Sequence, residues 1–215
     1  QDGGGIYNDS FVKMSRVIDS TIFDNGAGHD GGGIVNKGVL VLETSTISEN
    51  VARGDGGGIL NVEDAAHCFV TYSTLYKNRA SNGGGIVNSG TLTTLANSII
   101  AGNEAQKSTD VQGTFSLSAI NLIQNKGNAS LNPSRTTEKG LASRLVTNKA
   151  PGLAPLQNNG GATMTDALLP DSPAINQVPP GVWCGGHNLS LTDQRGMLRL
   201  KGKGCDLGAY EYGSK

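Results

Sequence analysis

The residues with the most chemical capacity in this sequence are acids fixed at one place in a repeat. Asp2, Asp30 and Asp55 each stand directly before a Gly-Gly-Gly-Ile block, Asn82 takes the equivalent position, and Asp110 is a fifth candidate. Side chains in register on neighbouring strands sit about 5 Å apart, so a column of carboxylates repels itself unless something compensates. Two answers are open. Each carboxylate can cap N–H groups of its own glycine turn, as Asp does in Asx-turns. Alternatively the column can hold Ca²⁺, whose ligands are oxygens. The Gly-Gly-x-Gly-x-Asp nonapeptide of calcium-binding rolls does not occur.

Acid–base cleavage of a polysaccharide needs two carboxylates facing each other across a bound sugar. Aligning the repeats puts Asp24, Glu49, Lys77 and Gly102 in one column and Asp9, Lys37, Glu63 and Ser89 near another. Both signs are mixed, as on a solvated sheet face. No catalytic residue is assigned, and the chain is expected not to be an enzyme. Of the three cysteines, Cys184 and Cys205 flank an irregular stretch, where a disulfide suits an exported protein. The rival is a metal site using Cys184, His187 and Cys205, for which a fourth ligand is missing. Cys68 follows His67, but strand neighbours point to opposite faces, so Cys68 reads as a buried apolar residue and not as a nucleophile. His29 and His187 lie in glycine-rich turns with no nucleophile at motif spacing. Arg195 reads as a partner for Asp193, Asp206 or Glu211. Asn8, Asn128 and Asn188 begin Asn-x-Ser sequons, of which Asn8 should resist glycosylation because it belongs to a repeat column.

These residues are positioned by the repeat itself. Gly-Gly-Gly-Ile blocks begin at Gly3, Gly31, Gly56 and Gly83, spaced 28, 25 and 27 residues apart, the period of a solenoid coil. Two residues after each isoleucine comes an asparagine, Asn8, Asn36, Asn61 and Asn88, and a second column follows at Asn25, Asn50, Asn78 and Asn103. Between them run short β-branched segments such as Asp19–Asn25 and Thr44–Asn50, which read as strands. A diverged fifth coil is expected over Asp110–Asn125, with Gly113 standing for the last glycine of the block. Stacked coils bury one apolar stripe per strand in a continuous core, and recurrent asparagines can hydrogen-bond along the stack as amide ladders. The predicted fold is all-β: a right-handed parallel β-helix of about five coils over 1–126, followed by diverged coil, loops and an irregular C-terminal cap over 127–215.

Composition agrees with many turns and few bulky anchors, with 32 glycines and 5% aromatic residues in 215. Lys plus Arg (17) and Asp plus Glu (18) nearly cancel, leaving a net charge of -1 and no field to draw nucleic acid or anionic lipid. No apolar run reaches membrane-spanning length, and no charged-then-apolar leader is present in this sequence.

The Gly-Gly-x-Ile blocks and the hydrophobic-x-x-Asn pairs (Ile22 to Asn25, Ile47 to Asn50, Leu75 to Asn78, Ile100 to Asn103) resemble polymorphic outer-membrane protein repeats. Asn121–Ile123, Leu156–Gly161, Ala167–Ile175, Thr192–Gly196 and Cys205–Glu211 resemble the bacterial choice-of-anchor Q domain. The resemblance implies an exported cell-surface β-helix and no particular reaction. The proline-rich C-terminal part reads as a cap that blocks strand addition, while the first coil has no counterpart. That asymmetry predicts self-association through the first coil, head to tail into a filament, or continuation by upstream coils. The expected role is an extracellular structural or adhesive protein needing no cofactor, Ca²⁺ apart. The alternative is a glycan-binding or glycan-cleaving β-helix using Tyr7, Tyr72, Tyr76 and Trp183 as stacking surfaces.

Overall fold

Short β-branched runs interrupted by residues that accept a left-handed backbone must turn every few residues, and here the turns fall in columns. The αL corners Asp19, Thr44, Tyr72 and Asn97 (φ 49°, 46°, 46° and 51°) form one column, and Asp24, Glu49, Lys77 and Gly102 (54°, 60°, 55° and 62°) form another. A computed structural model describes residues 2–11, 14–134, 146–181, 184, 191–199 and 203–214. Among these are twenty strands and no helix.

Coil one holds β1 (Ile6–Asn8), β2 (Ser15–Ile18), β3 (Thr21–Phe23) and β4 (Gly26–Ala27). Coil two holds β5 (Ile34–Asn36), β6 (Val39–Glu43), β7 (Thr46–Ser48) and β8 (Val51–Ala52). Coil three holds β9 (Ile59–Asn61), β10 (His67–Thr71), β11 (Thr74–Tyr76) and β12 (Arg79–Asn82). Coil four holds β13 (Ile86–Asn88), β14 (Leu92–Ala96), β15 (Ile99–Ala101) and β16 (Glu104–Lys107). Coil five contains β17 (Val111–Leu117) and β18 (Leu122–Ile123), and β19 (Ser130–Pro133) and β20 (Val146–Thr147) add to it as a partial sixth coil.

Every pairing between these strands is parallel and joins successive coils. The long β17 runs from the first face onto the second, giving one ten-stranded sheet ordered β1-β5-β9-β13-β17-β14-β10-β6-β2 with β19 on β17. Counting the two faces of that sheet as the first and second, the third sheet is β3-β7-β11-β15-β18-β20 and the fourth β4-β8-β12-β16. The protein is therefore a parallel β-helix. Its core is a set of columns, among them Ile34–Ile59–Ile86–Val111, Leu42–Val70–Leu95–Leu117 and Ile47–Leu75–Ile100–Ile123, all at 2% exposure or less. Cys68 lies in this core between Leu40 and Thr93, and burial pushes its thiol up to about 12.

The glycine blocks are required by crowding between coils. A Cβ on Gly57 would stand 2.5 Å from the Gly84 carbonyl oxygen and 2.6 Å from that of Arg79, both backbone atoms that cannot step aside. Gly31 combines a φ of +65° with the Val35 side chain packed directly over it.

The fifth coil differs from the expected register. Val111 pairs with Ile86 and Gly113 with Asn88, so Gly113 takes the asparagine position and not that of the last glycine. Asn82 pairs with Lys107, which leaves Asp110 outside the aspartate column, beside Gly85.

The described residues of the irregular C-terminal segment cover the side of the stack. They lie along the outer face of the third sheet, from coil four, where Gly208 N–H donates to Asn97 O (2.8 Å), to coil one, where Thr21 Oγ1 donates to Met164 O (2.5 Å). The outward column of that sheet reads Thr21, Thr46, Thr74, Ile99, Leu122. Its threonines hydrogen-bond the layer, Thr46 to Gln194 Oε1 (2.7 Å) and Thr74 from Ala209 N–H (3.0 Å). Ile99 and Leu122 pack into an apolar cluster with Leu153, Leu168, Val178 and Leu207. This is why β7 is buried on both faces, whereas β6 alternates buried and half-buried.

Candidate functional site

Both asparagine columns are hydrogen-bonded ladders. Asn8 donates to Asn36 (2.6 Å), Asn36 to Asn61 (2.6 Å), Asn61 to Asn88 (2.8 Å), and Asn88 ends the row on Thr114 O (2.6 Å). Asn25, Asn50, Asn78 and Asn103 are linked in the same way at 2.9 Å per step. Each acceptor oxygen in the second ladder also takes the backbone N–H of the asparagine before it (2.9–3.1 Å). This ladder ends on Asp110, whose Oδ1 accepts Asn103 Nδ2 (2.9 Å) and N–H (3.1 Å), while Oδ2 accepts Asn125 N–H (2.6 Å). Burial is the main reason that the Asp110 carboxyl rises to about 6, against the opposing pull of those donors.

A third ladder escaped the sequence reading. The hydroxyls of Ser45, Ser73 and Ser98 accept the backbone N–H of Ser20, Ser45 and Ser73 (3.1, 3.2 and 3.2 Å), and Asn121 Oδ1 completes the row by accepting from Ser98 (3.0 Å). Its signal was serine at the second place of each β-branched segment.

The aspartate column uses its carboxylates between coils and not on its own glycine turns. Asp30 Oδ1 accepts Asp55 N–H (2.7 Å), Asp55 Oδ1 accepts Asn82 Nδ2 (2.7 Å), and Asp2 lies 3.6 Å from His29 Nδ1. Backbone and amide donors supply the compensation that the stacked acids need. Among the described residues no three His, Cys, Asp or Glu side chains come together as a group able to hold a metal ion.

Of the mixed-sign columns, Lys37 meets Glu63 at 3.0 Å and lies 5.5 Å over the Tyr7 ring, and contact with Tyr7 and then Glu63 raises its pKa. Lys77 sits 5.2 Å over the Tyr76 ring. Arg79 and Glu104 approach to 3.9 Å on the fourth sheet, where Val51, Arg53, Arg79, Ser81, Glu104 and Gln106 line an open groove of about 410 Å³ floored by alanines. Tyr72 offers no surface to an external sugar, being 1% exposed. Tyr7 is 45% exposed and Tyr76 half-buried, while Trp183 falls outside the described residues.

In the C-terminal layer Cys184 and Cys205 form a disulfide, and His187 and Asn188 fall outside the described residues. Two arginines clamp the layer. Arg195 binds Asp193 through Nη2 (2.6 Å) and Nε (2.9 Å), donates to Glu211 O (2.8 Å) and stacks 3.7 Å over Tyr210. Arg199, not singled out from the sequence, is 5% exposed; its guanidinium lies 4.2 Å over Tyr72, donates to Gly208 O (2.9 Å) and stands 3.7 Å from Glu211. Asn8 is 2% exposed within its ladder, and Asn128 is exposed. No described helix is long and apolar enough to cross a membrane.

The fold and its polar columns define a β-solenoid whose repeated side chains join coil to coil. The chain matches no family model, no curated protein and no solved structure.

Proposed function

We propose that this chain is an exported structural module of a cell surface or extracellular assembly, working through its sheet faces by adhesion or self-association and catalysing nothing. The observation that carries the reading is the use of the repeated polar residues. The asparagine, serine and aspartate columns, the residues most able to do chemistry, hydrogen-bond one coil to the next. The disulfide suits an oxidising compartment, and the resemblance to choice-of-anchor Q domains and polymorphic outer-membrane repeats supports a cell-envelope setting.

Self-association is read as stacking on coil one, which exposes Tyr7 (45%), Phe11 (93%), Met14 (55%), Ile18 (39%) and Phe23 (43%). The ladders run donor to acceptor from coil one upward, so an added coil would donate to Asn25. An asparagine-bearing coil suits that polarity better than Asp110, which closes the ladder as an acceptor. Such a coil could come from a longer chain or a second molecule. The second reading, glycan binding, rests on the groove of the fourth sheet with Arg53, Arg79 and Gln106 as donors.

Electron microscopy and sedimentation of the native protein test the structural reading, with rods or higher assemblies expected. Incubation with neutral and acidic polysaccharides, with and without Ca²⁺, tests the other. Any shortened product would overturn the non-catalytic assignment, and retention lost in an Arg53→Ala/Arg79→Ala variant would favour the groove.

A further inference from the structure

One buried group stands outside the hydrogen-bonding scheme of the two surfaces that it joins. Asp166 lies between the bridged pairs Gln157–Thr165 and Leu153–Leu168 of the C-terminal layer, is 1% exposed, and has no hydrogen-bond partner on either carboxylate oxygen. From the sheet beneath, it is faced by Ser48 of β7 and by Glu49 and Lys77 at the corners after β7 and β11. Its own neighbours Thr165 and Ala167 carry no charge.

The Ser48 hydroxyl is placed to donate to Tyr76 O (3.1 Å); turned toward Asp166 instead, it would favour the ion. A carboxylate buried without a partner in a dry interface is penalised by desolvation, and the neutral acid is penalised far less. Lys77 favours the ion, but its ammonium rests over the Tyr76 ring and Glu49 opposes it.

We propose that Asp166 is an acid-closed latch: as the neutral acid it seats the 153–168 hairpin on the third sheet, and its ionisation loosens that seat. Burial is the largest cause lifting its pKa from 3.8 to about 7, with Glu49 adding to it and Ser48 and Lys77 opposing. Because the docked value lies above the free one, docking takes up a proton. The benefit is complete below about pH 4, where the free carboxyl is also protonated, and is lost as pH rises through about 7. A difference of about three pKa units limits the effect to roughly a thousandfold in the docking equilibrium. The latch stands independently of the structural role proposed above.

The test follows the Asp166 carboxyl carbon by NMR from pH 4 to 9, together with protection of the Gln157 and Thr165 amides, corrected for intrinsic exchange. In the wild type, protection should fall at least about tenfold between pH 5 and pH 8, and in Asp166→Asn it should stay within about twofold. The comparison with Asp166→Asn separates the latch from Asp110 and Asp206, whose carboxyls burial also raises. Glu49→Gln should lower the Asp166 midpoint and Lys77→Gln should raise it. A midpoint below pH 5, or the same loss of protection in Asp166→Asn, overturns the latch. Should that variant fail to fold, an Asp166 midpoint indifferent to both Glu49→Gln and Lys77→Gln overturns it instead.

Discussion

Replacing Asn78 by alanine isolates what one rung of a ladder contributes. Asn78 is fully buried; its Nδ2 donates to Asn103 Oδ1 (2.9 Å) and Ile47 O (2.9 Å), and its Oδ1 accepts Asn50 Nδ2 (2.9 Å) and Asn50 N–H (3.1 Å). Truncation does not orphan every partner. Asn103 Oδ1 still accepts the backbone N–H of residue 78, and Asn50 Nδ2 still reaches Ile22 O and Ser48 O. The Asn50 N–H and the Ile47 carbonyl lose these contacts inside the stack. At about 1–3 kcal/mol for each unsatisfied buried group, and with a small cavity added, Asn78→Ala should cost about 3–5 kcal/mol. Asn25→Ala is the internal comparison. Asn25 begins the ladder, is only partly buried, and leaves Asn50 Oδ1 still accepting the backbone N–H of residue 25, so its loss should stay within about 1 kcal/mol. Urea unfolding followed by circular dichroism and by amide exchange in coils two to four would measure both, the local probe being needed because solenoid coils need not unfold together. Equal costs at the two positions would refute the account of the asparagine columns as hydrogen-bonded ladders.

Gly57→Ala should be among the most damaging single-methyl additions, costing more than about 3 kcal/mol because the new Cβ meets two backbone carbonyls, while Gly26→Ala, with nothing within 4 Å, should change stability by less than about 0.5 kcal/mol in the same urea assay. Arg199→Met removes the cation buried beside Glu211 and stacked on Tyr72, and should cost about 3–5 kcal/mol; a melting temperature equal to wild type would show that the clamp is idle. Replacing Cys184 and Cys205 together by serine opens a link across 21 residues and should lower stability by about 3 kcal/mol, read as early proteolysis within residues 150–214 while coils two to four stay protected.

The coils were legible because stacking in register makes each residue meet its own counterpart, so a column with one physical task repeats one residue type. Ile34, Ile59 and Ile86 recur because they share a core column, and Asn50, Asn78 and Asn103 because each completes the rung before it. The serine ladder is equally periodic, but its serines lie inside short β-branched segments that read simply as strands. The fifth coil misled because Gly113 and Asp110 match the repeat by type while the pairing of Val111 with Ile86 sets a different register.

By itself, then, the sequence determined the solenoid, its core columns and its two asparagine ladders, all of which rest on contacts one coil away. Where the C-terminal segment lies was decided only in three dimensions. Its contacts reach from Ala209 to Thr74, from Gln194 to Thr46 and Thr21, and from Arg199 to Tyr72, between residues 127 to 173 apart with no shared period. Laid along the third sheet, the described residues of that segment bury the threonine column, hide Tyr72, and enclose an aspartate whose surroundings no local pattern records.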